Sequence, residues 1–300
     1  MKRQKFLVAV GVALVVAVAT ALPAQAAKPL PLGPTTYAAL GDSFAAGFGA
    51  GDPVNGYGQT AQAYPVVLAG PGNVTFLAVA SGGTTATVTG SQVPSVPATA
   101  QQVTLTVGGN DLGFVDKATA CFQDPSKCGL TQDDLVKLAA LPVSLKTTIA
   151  AIHEQAPAAT IYVTGYPLLF QAAQTPNDTG SCVVGDLTVT QTGPLAITEA
   201  QADALDAAAV ALNRAVRSAI AGSTNSYAKY VDVTGAFMGH GLCGDGTTSL
   251  VPNPASYIKP VHAAVIGNAL VVDVLSGPLH PNAAGQQAYA AGIKAKGFKG

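Results

Sequence analysis

The chain has 300 residues, 49% of them hydrophobic and only 10% charged, with a formal net charge of −1 at pH 7. With no acidic or basic block it has no electrostatic footprint for nucleic acid or anionic lipid, so neither is expected as a partner. The 33 glycines among so many Ala and Val residues describe a turn-rich folded core, not a disordered or fibrous chain.

The N-terminus reads as a secretory signal peptide, residues 1–26. Lys2, Arg3 and Lys5 precede an apolar run from Phe6 to Leu22, and Ala24-Gln25-Ala26 forms a small-residue cleavage site. The run sits at the lower edge of membrane-span length, so the competing reading is an uncleaved anchor. Cleavage would leave 274 residues, within the range of one α/β domain, and would remove three cations to give a formal charge of −4. A Pro-rich linker (27–35) and one domain (36–300) are expected to follow, exported as a monomer with no membrane span left after cleavage.

Along that domain, short β-rich runs alternate with helical patterns. The runs are 36–40, 74–79, 102–107, 160–165 and 229–233, and helices are expected over 131–154, 198–220 and 281–296. Thr198 with Gln201 forms a capping-box pattern, and Pro142 marks a break in the first of these helices. Five strands separated by helices imply an α/β fold with a mostly parallel sheet covered on both faces. The stretches 170–198 and 237–276 lack clear periodicity and read as surface loops.

Three polar tips follow three of these strands. Ser43, in "YAALGDSFAAG", stands at the carboxyl end of the first, where open α/β sheets bind ligands. After the second comes "VASGGTT", in which Gly82 lets the backbone approach a ligand. After the third, "TVGGNDLGF" places Asn110 behind two glycines, where its amide could meet an oxyanion. Each alone is an ordinary turn; three successive strand ends carrying them are harder to explain so.

A serine nucleophile needs a base. Of four histidines, His153 reads as a solvated cation at a helix end, and His240 and His262 as loop residues. His280 alone sits at a fixed helix entrance, in "SGPLHPNAAGQQAYA". Four cysteines in an exported chain favour disulfides over metal ligation, and no C-x-x-C is present. Three connectivities are possible; Cys121 with Cys128 and Cys182 with Cys243 is the expected one, stapling loops and not core strands. No metal or cofactor is expected. "GFGAGD" fails the dinucleotide fingerprint at Asp52, and no Gly-x-Ser-x-Gly elbow occurs.

With "GDSFAAG", "SGGTT", "GGND" and "HPNAAGQ" in this order and spacing, the sequence from Tyr37 onward resembles the SGNH hydrolases, the GDSL esterase and lipase family, particularly its secreted actinobacterial members. "GYPLLF" and "GHGLC" look like the same branch. The resemblance implies a three-layer α/β/α sandwich. It also implies Ser43 as nucleophile, His280 as base, and an oxyanion hole from the backbone N–H groups of Ser43 and Gly82 and the Asn110 side chain. The substrate would be an acyl ester of a lipid; alternatives are a carbohydrate O-acetyl esterase of the same fold or an inactive surface binding protein. Two positions depart from the family. Ala80 replaces a frequent Cys, which fits two disulfides instead of three. Gly277 replaces a frequent Asp three residues before the histidine, so the base-orienting group is expected to be a backbone carbonyl of Gly277 or Pro278, with Asp273 as the alternative.

Overall fold

Tyr37–Gly41 (β1) is buried at every residue and forms the spine of the fold. The computed structural model describes residues 36–171, 180–188, 193–221, 226–243, 253–266, 269–273 and 277–299, all within the unit 31–300. The expected signal peptide and linker lie outside the described residues. Around β1 the strands Thr75–Phe76 (β2), Gln102–Thr106 (β3), Thr160–Thr164 (β4) and Ala228–Val231 (β7) form a five-stranded sheet in the order β2-β1-β3-β4-β7, parallel at each pairing. The second β-rich run is shorter than its sequence suggests, because only Thr75 and Phe76 pair with β1.

This order fixes where a site can form. Helix Ser43–Ala46 (α1) follows β1 directly, and Tyr64–Ala69 (α2) carries the chain to β2. After β2 the chain crosses back through Thr85–Thr87 (α3) to β3. Gly109–Leu112 (α4), Phe114–Gln123 (α5) and Gln132–Gln155 (α6) lead to β4; Glu199–Ser218 (α7) leads towards β7, and Ala283–Ala295 (α8) closes the chain. Right-handed crossovers running left from β1 and right from β3 place their helices on opposite faces. In agreement, α2 packs with α8 and α6 with α7. The order reverses between β1 and β3, and a crevice opens there at the strands' carboxyl ends.

Pro142 does not break α6. It forgoes one N–H bond, but Leu141, Leu145, Ile149 and Ile152 are buried along one stripe of the helix, and that packing carries the helix through. By length and composition alone Pro125–Gln155 could cross a membrane, at a mean hydropathy of 1.6. At its start Thr131 and Asp134 form a capping box, and Asp134 also meets Lys117 of α5 at 2.6 Å.

The aperiodic stretches are not only loops. Ser181–Thr188 (β5), Gly193–Thr198 (β6), Val261–Ile266 (β8) and Ala269–Val272 (β9) form a second sheet, order β6-β5-β8-β9, with mixed pairing. Cysteines pair 121 with 128 and 182 with 243. Cys121 lies in α5 and Cys182 in β5, while Cys128 and Cys243 lie in loops, so each bridge ties a loop to a regular element and, as expected, neither involves a strand of the main sheet.

Candidate active site

Asp42 ends β1 by capping the short helix that follows: its Oδ1 accepts the Phe44 N–H at 3.0 Å, which turns Ser43 into the crevice at only 9% exposure. Across that crevice α8 is preceded by His280, which is 5% exposed. Its Nε2 lies 2.7 Å from Ser43 Oγ. Its Nδ1 lies 2.7 Å from the Pro278 carbonyl oxygen, which requires that Nδ1 carry the proton and leaves Nε2 as an acceptor facing the serine.

The histidine loop is held from several sides. Lys259 donates its N–H to the His280 carbonyl, and the Leu279 N–H returns to the Lys259 carbonyl. Leu279 itself sits at φ 60, a left-handed conformation that these two bonds hold in place. Gly277, at φ 76, packs backbone to backbone on Gly49: a Cβ there would lie 2.6 Å from the Gly49 nitrogen. Gln286 of α8 accepts from the Tyr64 N–H and donates to the Phe44 carbonyl, tying α8 to both α1 and α2. The rings of Phe44 and Phe48 lie 4.9 and 5.2 Å from the imidazole. Burial among them pulls the His280 pKa down to about 4, against the Pro278 carbonyl, which favours the charged form.

The other two strand tips converge on the same place. Gly82 adopts φ 73, and the space a Cβ would take there is open. Asn110 donates its amide to the Gly83 carbonyl at 3.1 Å, and neighbouring Asp111 accepts from the Thr85 N–H and hydroxyl, locking the turn after β3 onto the loop after β2. Asp42 is 1% exposed, and burial pushes its carboxyl up to about 7, opposed by hydrogen bonds from Tyr166 and Phe44. Beside Ser43 and Asn110 a pocket opens to solvent. Phe114, Val115, Pro167, Leu169, Ala209 and Leu212 supply its apolar walls.

Elsewhere the sequence-derived candidates scatter. Asp273 is exposed; its N–H donates to the His262 carbonyl, so its backbone belongs to the second sheet. His262 lies in β8, not in a loop, and pairs with Asp186. His240 bonds the Ala255 carbonyl and stacks on Tyr257. His153 lies in the last turn of α6 as expected but is not freely solvated: its ring stacks on Tyr227 at 3.8 Å, with Nδ1 buried and unpartnered. Sequence reading overlooked Tyr166, whose hydroxyl bonds both Asp42 and the turn before Asn110. The signal was available, since Tyr166 is the polar tip after a fourth strand.

A parallel sheet with a serine, a histidine and an amide at its switch point defines a serine ester hydrolase. The model of the GDSL-like lipase/acylhydrolase family matches residues 39–288, and the chain belongs to that family. A lipase of Streptomyces rimosus is 32% identical over 223 residues, 70% of this chain and 74% of that protein. Among solved structures, phospholipase A1 from Streptomyces albidoflavus NA297 matches with a TM-score of 0.65 and 28% identity, covering 87% of this chain and 99% of the other. The extracellular lipase of Streptomyces rimosus matches with a TM-score of 0.63 and 25% identity over the same shares.

Proposed function

We propose that this is an exported lipase or esterase that cleaves acyl esters of lipids through an acyl-enzyme on Ser43. The observation that carries the reading is the 2.7 Å contact between Ser43 Oγ and His280 Nε2 at the mouth of an apolar pocket. His280 takes the serine proton as Oγ attacks the acyl carbon, and the imidazolium keeps its Nδ1–H on the Pro278 carbonyl. The Ser43 and Gly82 N–H groups and the Asn110 amide receive the charge that develops on the carbonyl oxygen. The proton then returns to the departing alcohol, and water, activated by the same imidazole, releases the acid.

The apolar walls supply the grounds for a lipid acyl chain. Export is supported by the signal-like N-terminus, by two disulfides and by the extracellular relative. A fluorophosphonate probe should label Ser43 in the native protein and fail in Ser43→Ala. A chain-length series of p-nitrophenyl esters, run beside a phospholipid and an acetylated sugar, should favour the acyl lipids. An intact, folded protein that neither labels nor hydrolyses any of these would overturn the reading.

A further inference from the structure

We propose that Tyr166 is a positioning residue that holds the oxyanion donor Asn110 at a fixed separation from the nucleophile Ser43. The inference rests on the roles given to those two residues above. One hydroxyl makes both connections. It donates to Asp42 Oδ2 at 2.5 Å and accepts the Gly109 N–H at 2.9 Å. Asp42 directly precedes Ser43 and Gly109 directly precedes Asn110. The other Asp42 oxygen holds the N–H of Phe44, so the residues on either side of the serine are fixed to one carboxylate.

The strut is itself anchored. Asn213 of α7 accepts the Tyr166 N–H at 2.7 Å and donates to its carbonyl at 2.8 Å, and the ring meets Phe44 edge-on at 5.1 Å. Other buried tyrosines spend their hydroxyls within the fold. Tyr37 bonds Thr104, Tyr64 bonds Thr106, and Tyr289 donates to the Gly165 carbonyl; none of these bonds reaches Asp42 or the turn that carries Asn110. Without the Tyr166 hydroxyl, α4 keeps its ties to the loop after β2 through Asn110 and Asp111 but loses the link from the Gly109 N–H to Asp42 beside the nucleophile. It has four residues, and its N-cap Gly108 offers no side-chain cap. Oxyanion donors act only at about 2.7–3.1 Å from the position the charge will occupy, and a misplacement of about 1 Å can cost about a hundredfold in rate.

A double-mutant cycle tests this, with Tyr166→Phe and Asn110→Ala alone and combined. Asn110→Ala should lower kcat by about a hundredfold at little-changed KM, and Tyr166→Phe should lower it by about tenfold, also at little-changed KM. In the Asn110→Ala background, Tyr166→Phe should cost less than about twofold further, because the group it positions is gone. A tyrosine that merely supports the core would cost the same factor in both backgrounds; that result, or a folded Tyr166→Phe at native kcat, overturns the proposal. If Tyr166→Phe does not fold, Asn213→Ala replaces it in the cycle, removing the side chain that anchors Tyr166 to α7, with the same expected non-additivity. Fluorophosphonate labelling of the native chain separates the two levels: a native Ser43 that does not react sinks the reading beneath, whereas a reactive Ser43 with additive losses sinks only the role of Tyr166.

Discussion

His280 is oriented by a neutral group and buried among rings, and each fact has its own kinetic consequence. The base must be neutral to take the serine proton, so it works at pH values above its pKa. Burial pulls that pKa down to about 4 from an ordinary 6.5, which extends the working range downward. The acid limb of kcat/KM should therefore lie near pH 4, with a shallower shoulder near 7 where the Asp42 carboxyl, pushed up by burial, loses its charge but still accepts from Tyr166. A full tenfold-per-unit fall beginning at pH 6.5 would mean that His280 is more solvated than this. Because Pro278 and not a carboxylate accepts from Nδ1, Asp273→Asn should reduce kcat/KM less than about tenfold, against roughly ten-thousandfold when a triad aspartate is replaced. A loss of a thousandfold or more on folded protein would make Asp273 the third catalytic member.

At the scale of elements, the base is positioned by a loop that has no room for a side chain where Gly277 meets Gly49. Gly277 and Gly49 touch through their backbones, and Gly277 holds φ 76. This explains the departure from the frequent aspartate at that position: any Cβ would push the Phe48–Gly49 segment away, and with it one of the rings against His280. Gly277→Ala should cost about 1–2 kcal/mol from backbone conformation alone, plus the clash, and should lower kcat because Ser43 and His280 separate. Thermal unfolding beside steady-state kinetics checks both; a variant as stable and active as the native chain would mean that the loop relaxes without moving the base. Introducing Asp at 277 should not create a triad, for the same steric reason.

At the scale of the whole molecule, the parts legible in the sequence were those whose signals are local. The strand ends around Ser43, Gly82 and Asn110 announce themselves through turn chemistry, and α7 through its capping box and its stripe of Leu205, Ala209, Leu212 and Val216. The second sheet escaped because its period is broken. The β5–β6 register shifts between Val183 and Gly185, and β6 opens on Gly-Pro. One signal there was readable: Gly267-Asn268 between two β-rich runs is a hairpin dipeptide. That sheet meets the main body through Cys182–Cys243, and the Leu242 and Cys243 N–H groups bond the Leu169 and Phe170 carbonyls just beyond β4. The bridge spans 61 residues, so the chain-entropy model gives it roughly 4 kcal/mol. The reacting groups around Ser43, by contrast, follow β1, β2, β3 and β4 or precede α8, which this bridge does not join. Replacing both cysteines by alanine should therefore lower the melting temperature by roughly 10 °C, while kcat for a short p-nitrophenyl acetate ester stays within about twofold. If the folded double variant instead loses activity in proportion to its stability, the second sheet is shaping the active site through Leu169 and not merely resting against it.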